Sequence, residues 1–402
     1  MNYSLIIQSL VHPLMFDKKN ILFVTTYNPY LLRTGAHQRT HHLFEALKTW
    51  GNVDTLFFNL YDKDVAVRDV NIFAYDINID YGLFSKALNC MWVNSPTIIA
   101  PLNKKCSCIY KETVARKDYA IIVFRYLPTA VMCGVKNYKN IVIDLDDIPW
   151  HNYYRMAQIQ SYSWLKRLYF YIKSWGIKRQ SFRIMSNCKL YYTANLQDSL
   201  TPNARYLPNI PAIFEEKDYL PTCNNNILFV GFMGFPPNYQ GVDHFIRNIW
   251  NNVVSKYPDA SFFIAGKGTP EDLKRLWESY PNVHVLGYIG DLKELYRKCF
   301  IVVSPIYSGA GTNIKVLEAL SMKKACIISK FAFKGFGDHF IHGIDLLVAE
   351  SDHDYIQLLD SVLANIEKLV PIASHGYTSV LKNYTFESVR SIIKQTLFSS
   401  NN

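Results

Sequence analysis

Short apolar runs recur along the chain, separated by longer stretches in which apolar and polar residues follow a helical period. A strand covered by helices on both faces reads as a continuous hydrophobic run, so this alternation predicts parallel βα units. In the first half the predicted strands are NILFVTT, VDTLFFNL, YAIIVFR, NIVIDLD and KLYYTA. A proline-bearing stretch, RYLPNIPAIFEEKDYLPTCNNN, breaks the series. A second series follows, with ILFVGF, SFFIAGK, NVHVLGY, CFIVVSP, ACIIS and IDLLVA. Helices are expected between them, such as GVDHFIRNIWNNVVSKY and TPEDLKRLWESY, the latter with Thr269 as N-cap and Pro270 at its first position. Two such series predict an α/β chain of two Rossmann-like domains facing each other across a cleft, with ligands beyond the carboxyl ends of the strands. The expected division is 1–205 for the first domain, 206–225 for a linker, 226–385 for the second domain, and 386–402 for a C-terminal helix and tail.

The 402 residues are 49% hydrophobic and 15% aromatic, enough for two cores, and with 19% charged residues the chain is not a disordered one. The net charge of +10 points to phosphate, polyanion or anionic-membrane partners without choosing among them. The eight cysteines are scattered, and only Cys106 and Cys108 lie close together, in a C-x-C spacing that fits no common zinc pattern. A reduced, cytoplasmic protein without a metal site is therefore expected. The N-terminal MNYSLIIQSLVHPLMFDKKN lacks the basic start of a signal peptide, and no apolar run reaches the roughly 18 residues of a membrane span.

The stretch SPIYSGAGTNIKVLEALSMKKACIIS, residues 304–329, carries the most chemistry. Its glycine turn sits where a predicted strand gives way to a helix, so unpaired N–H groups and the positive end of the helix dipole face the ligand side. Gly309 and Gly311 leave room for an anion, Ala310, Thr312 and Asn313 add backbone amides, and Lys315 adds a positive charge, a set suited to phosphate or diphosphate. Glu318 is placed to accept hydrogen bonds from ribose hydroxyls. A tight turn with a solvated glutamate would read the same way, so a G-x-G turn alone decides nothing.

With its surroundings, NVHVLGYIGDLKELYRKCFIVVSP followed by GAGTNIKVLEALSMKKACIIS, this stretch closely resembles the donor-binding domain of the family 4 (group 1) glycosyltransferases, which have the GT-B fold. ILFVGFMGFPPNYQGVDHFI and FFIAGKGTPEDLKRL resemble earlier pieces of that domain, and ILFVTTYNPYLLRTGAHQRTHHLFEAL resembles the opening strand, loop and helix of the other. The resemblance covers most of residues 20–390. It implies a retaining transferase that needs no cofactor and uses a nucleotide-sugar, UDP- or GDP-linked, as donor, with a glycan or lipid-linked acceptor. It also implies a C-terminal helix that returns to the first domain. By the same resemblance, Gly35 and His37 in the first loop approach acceptor and sugar phosphate, Lys267 and Tyr288 border the nucleotide base, and Lys315 serves the diphosphate. The family's cleft histidine falls nearest Asp146, so Asp146, His37 and Lys315 are the expected catalytic residues. Besides that histidine, two further departures stand out: Ala310 replaces the first of two glutamates, and Phe232 and the PPN segment ending at Asn238 stand where an arginine and a lysine clamp the diphosphate.

Two further patterns remain. DLDDIPWHNYY places Asp144, Asp146, Asp147 and His151 at a strand end, where carboxylates serve as acid or base, hold sugar hydroxyls, or simply cap a loop. From Ile148 to Gln197 there is no acidic residue, and Trp164, Tyr169, Phe170, Tyr171 and Trp175 interleave with lysine and arginine. Such a segment, residues 151–190, suits an anionic membrane surface; it suits equally a helix whose aromatics pack inward. No nucleic-acid-binding motif accompanies it. The rival functions are a sugar-nucleotide epimerase and a non-catalytic sugar-nucleotide-binding protein. A dehydrogenase is disfavoured because no G-x-G-x-x-G follows the first strand.

Overall fold

The computed structural model describes residues 18–60, 62, 70–77, 94–158, 162–215, 224–309 and 313–399. Strands β1 Lys19–Thr25, β2 Gly51–Asn59, β3 Ile72–Asp76, β4 Ile121–Arg125, β5 Ile141–Asp146, β6 Leu190–Thr193 and β7 Ala204–Tyr206 form one parallel sheet in the order β3-β2-β1-β4-β5-β6-β7. Strands β8 Asn226–Val230, β9 Ser261–Ala265, β10 Val283–Gly287, β11 Ile301–Ser304, β12 Cys326–Ser329 and β13 Leu347–Ala349 form another, in the order β10-β9-β8-β11-β12-β13. Ile21 to Val24 in β1, Ile227 to Phe229 in β8 and Cys326 to Ile328 in β12 are fully buried, as strands covered on both faces must be. In each sheet the strand order reverses beside the first strand, between β1 and β4 and between β8 and β11. That opens a crevice at the carboxyl ends, where ligands bind in such folds.

The six strands of the second sheet fall on the six predicted runs. β3 and β7 match no predicted run: both are edge strands, β3 exposes most of its residues and β7 buries none fully, so neither carries an apolar stripe. β7 also runs one residue past the division expected after residue 205. The helix expected to be capped by Thr269 spans Glu271–Glu278 with Pro270 in the cap position, and the buried Thr269 hydroxyl has no partner among the described residues. With no side-chain cap, Glu271 and Asp272 in the first turn complement the positive end of the helix dipole instead.

The two domains share one core. Helix Phe386–Ile393 leaves the second domain and packs on helix Gly35–Trp50 of the first, where the Trp50 indole donates to the Arg390 carbonyl at 3.1 Å. Val389, Ile393 and Leu397 are buried in the cluster that joins the two sheets. The linker is fastened at both ends: Arg39 donates to the Leu207 carbonyl at 2.8 Å, and Arg297 holds Glu215 at 2.6 Å.

Candidate active site

The first wall of the cleft is built where β4 and β5 end. Arg125 closes β4, and Asp144 and Asp146 lie at the end of β5, where a register shift against β6 and a left-handed Asp146 (φ +64°) form a bulge. Both carboxylates meet the same two guanidinium groups. Arg39 grips Asp144 through Nε and Nη2 at 3.0 and 2.6 Å. Arg125 donates to Asp146 at 2.9 Å and lies 3.1 Å from Asp144, the latter without hydrogen-bond alignment. Asn209 of the linker donates to Asp146 at 3.2 Å. Burial works to raise the Asp146 pKa, but Arg125 and Arg39, with hydrogen bonds from Arg125 and Asn209, outweigh it and hold the pKa below the usual carboxylate range. A carboxylate held this firmly anionic is a weak proton acceptor.

His37 is placed differently from its expected role. It lies in the first turn of the helix capped by Thr34; Nε2 is 3.0 Å from Asp62, Nδ1 is 2.8 Å from the Thr34 hydroxyl, and Tyr27 packs edge-on. With both ring nitrogens engaged and the residue buried, His37 has no free nitrogen to offer a substrate. Gly35 stands exposed at the start of the same helix.

The second wall follows β11. Gly309 adopts φ +129°, and a Cβ there would stand 3.6 Å from Pro237 and 3.7 Å from Nη1 of Arg155. Ala310, Gly311 and Thr312 lie outside the described residues. Asn313 precedes helix Ile314–Ser321, and Lys315 on that helix donates to Asn238 at 3.0 Å. Burial lowers the Lys315 pKa to about 8 against the pull of Glu318, and burial raises that of Glu318 to about 7 against Lys315. Lys267 and Tyr288, at the ends of β9 and β10, point into solvent; Tyr288 is 76% exposed. The Lys267 carbonyl, not its ammonium group, does local work by accepting from the Met233 amide at 2.9 Å.

Between the walls lies a cavity of about 280 Å³, lined by His151, Asn195 and Asp198 of the first domain and by Asn238, Gly309 and Lys315 of the second. Asn313 also borders it, whereas Glu318, Lys267 and Tyr288 are not among its lining residues. Burial raises the Asp198 pKa to about 6. Asp147 rises to about 7, through burial first and then the charges of Asp146 and Asp198, and its Oδ1 has no partner in the described protein. Two carboxyls tuned toward neutrality beside a cleft can accept and return a proton. Asp147 also lines a pocket of about 300 Å³ with Tyr126, Pro128, Asn152 and Tyr153.

A raised carboxyl pKa means that the native state binds the extra proton, so stability falls as pH climbs from about 4 to about 7. Asp147→Asn cannot ionise. Its melting temperature should match wild type near pH 4 and exceed it at pH 7.5, the gap opening between those values. A gap that is flat with pH would show that Asp147 titrates normally.

Sequence reading did not single out Arg125, Arg155 or Asp198. Arg125 carried the signal of a charge ending an otherwise apolar run, and His151 and Arg155 that of an i, i+4 pair on one helix face. The basic aromatic segment forms helices Pro149–Gln158 and Trp164–Met185. Trp164, Leu168, Tyr171 and Trp175 recur along one face and are exposed, with Trp164 71% accessible, so they do not pack inward. A cavity of about 270 Å³ walled by Trp150, Tyr154, Tyr171 and Trp175 shares His151 with the cleft. Among the described residues no helix is long and apolar enough to cross a membrane.

Residues 224–365 match the family model described as glycosyl transferases group 1. A Klebsiella pneumoniae relative, an uncharacterized 44.6 kDa protein in the cps region, is 24% identical over 309 residues, which are 73% of this chain and 78% of that one. Among solved structures, sucrose-phosphate synthase from Thermosynechococcus elongatus is similar with a TM-score of 0.65 at 15% identity, over 94% of this chain and 98% of its own. An S. aureus TarM variant in complex with fondaparinux, alpha-GlcNAc-glycerol and UDP gives a TM-score of 0.56 at 16% identity, over 73% of this chain; the match spans 58% of that longer protein.

Proposed function

We propose, for a chain that has the GT-B fold and whose second domain is that of a group 1 glycosyltransferase, that it transfers a sugar from a UDP- or GDP-linked donor to a glycan or lipid-linked acceptor of a bacterial surface polysaccharide. One observation carries the reading: the family-matched segment brings Gly309, Asn313 and Lys315 to one wall of a cleft whose other wall holds Asp198 and, nearby, Asp147. The diphosphate lies against Gly309 and Lys315, and Glu318, deeper on the same helix, holds the ribose. The acceptor enters from the first domain, its hydroxyl hydrogen-bonded at Asp147 or Asp198. Its oxygen attacks the anomeric carbon on the face the diphosphate leaves; the bond to phosphate breaks, and the hydroxyl proton passes to the departing phosphate oxygen. Anomeric configuration is thereby retained. The capsule-region setting of the K. pneumoniae relative and the UDP held by the TarM variant support substrate class and role.

A thermal-shift panel of UDP-, GDP-, ADP- and CMP-sugars tests the donor assignment, since a ligand that binds the native state stabilises it by mass action. A UDP- or GDP-sugar should raise the melting temperature. No shift with any of the four classes would refute the donor site. Donor converted without an acceptor would mark an epimerase, and binding without turnover on any acceptor a non-catalytic binder.

The exposed aromatic stripe and its basic neighbours serve, in this reading, to hold the enzyme on an anionic membrane surface where lipid-linked acceptors reside, and the cavity behind Tyr154 and Trp175 leads from that face to His151. Each basic residue at such a surface contributes about 1 kcal/mol. Replacing Lys166, Arg167 and Arg179 with glutamine should therefore weaken binding to phosphatidylglycerol vesicles roughly 100-fold in co-sedimentation, with activity on a soluble acceptor fragment kept. Wild-type protein that stays in the supernatant at low salt would rule the docking out.

A further inference from the structure

Among the described residues, the cations that the second domain brings to the cavity are Lys315 and the exposed Lys334, both ammonium groups rather than a planar guanidinium fork. Phe232 and Asn238 occupy the positions at which related transferases are expected to carry arginine and lysine. The Asn238 side chain is used up internally, accepting from Lys315 and donating to the Phe232 carbonyl at 2.8 Å. Lys315 is tied to Asn238 and shares its burial with Glu318. The first domain adds a guanidinium from the other side. Arg155, on helix Pro149–Gln158, donates through Nε to the His151 carbonyl at 3.2 Å and through Nη2 to Asn152. Among the described residues no carboxylate pairs with it within 4.0 Å, and Nη1 has no hydrogen-bond partner; Nη1 is the nearest first-domain atom to the space above Gly309, at 3.7 Å. Burial lowers the Arg155 pKa with only the charge of Asp147 opposing, and His151 is pushed down by burial and then by Arg155 and Lys178. The guanidinium thus faces Gly309 with no hydrogen-bonded carboxylate of its own among the described residues.

We propose that Arg155 of the first domain supplies the guanidinium that holds the donor's diphosphate against Gly309, alongside the lysines of the second domain. The inference rests on the nucleotide-sugar reading and deepens it. A guanidinium presents a planar fork of N–H donors that matches two phosphate oxygens, which a lysine cannot reproduce. A nucleoside alone, which lacks the phosphates, gains nothing from Arg155.

Calorimetry on the full chain with UDP, GDP, uridine and guanosine decides it. In R155Q, affinity for the nucleoside diphosphate that wild type binds should fall roughly 10- to 100-fold, the scale of lost charge-assisted hydrogen bonds. Nucleoside affinity and the melting temperature without ligand should not change, and R155K should fall in between. R155Q that binds the diphosphate as wild type does overturns the inference and leaves the nucleotide-sugar reading standing. So does an equal loss of nucleoside and diphosphate binding, which would make Arg155 a structural residue. Wild type that binds neither diphosphate sinks the nucleotide-sugar reading and this inference with it.

Discussion

Replacing Arg125 with leucine should cost the fold about 3–5 kcal/mol, the largest stability loss expected of any single change in the first domain. Arg125 is fully buried and lies between Asp144, itself fully buried, and Asp146. Removing it leaves two carboxylates to share Arg39, and the one it served most directly, Asp146, loses a 2.9 Å hydrogen bond in a site where burial already disfavours its charge. The new side chain fills much of the volume, so the cost is electrostatic rather than a cavity. Chemical denaturation checks it: the midpoint should drop sharply with an unchanged slope. Much of the loss should be recovered by adding Asp146→Asn, because a neutral amide removes the orphaned charge. A single-variant loss below about 1 kcal/mol would mean that water or a rearranged Arg39 compensates.

Gly309→Val should abolish donor binding while leaving the fold in place. At φ +129° any side chain is strained and a β-branched one most of all, and its methyl groups would fill the space between Pro237 and Arg155. In the proposed donor site that space takes the diphosphate. Gly309 lies beyond the buried strand Ile301–Ser304, so the circular dichroism spectrum should match wild type. Calorimetry should then show no heat with the donor. A folded Gly309→Val protein with wild-type donor affinity would reduce the turn to a structural element.

The centre of the second sheet was legible because β8, β11 and β12 are buried on both faces and read as unbroken apolar runs. β3 and β7, edge strands with little buried surface, left no such mark. The glycine turn and Lys315 could be placed because they follow a strand directly, and their spacing is local. What the sequence hid was pairing at a distance. Arg39 and Asp144 are 105 positions apart, and nothing in either neighbourhood announces that they neutralise each other. His37 looked like a loop histidine facing the cleft, and only the fold brings Asp62 onto its ring. Arg155 was submerged in a basic aromatic segment that reads as a single surface. The helical period separates that segment into an exposed stripe on helix Trp164–Met185 and a cleft-facing pair, His151 and Arg155, on helix Pro149–Gln158. The carboxyls of Asp147 and Asp198 owe their raised pKa values to burial at the domain junction, which no local pattern encodes.

Transfer itself is the claim on which the rest depends. The most direct measurement incubates the protein with the nucleotide-sugar that stabilises it and a lipid-linked or oligosaccharide acceptor, then reads the anomeric coupling of the product by proton NMR. An α-linked donor should give an α-linked product together with one nucleoside diphosphate released per sugar transferred. A β-linked product, or donor consumed with no sugar reaching any acceptor, would contradict the account.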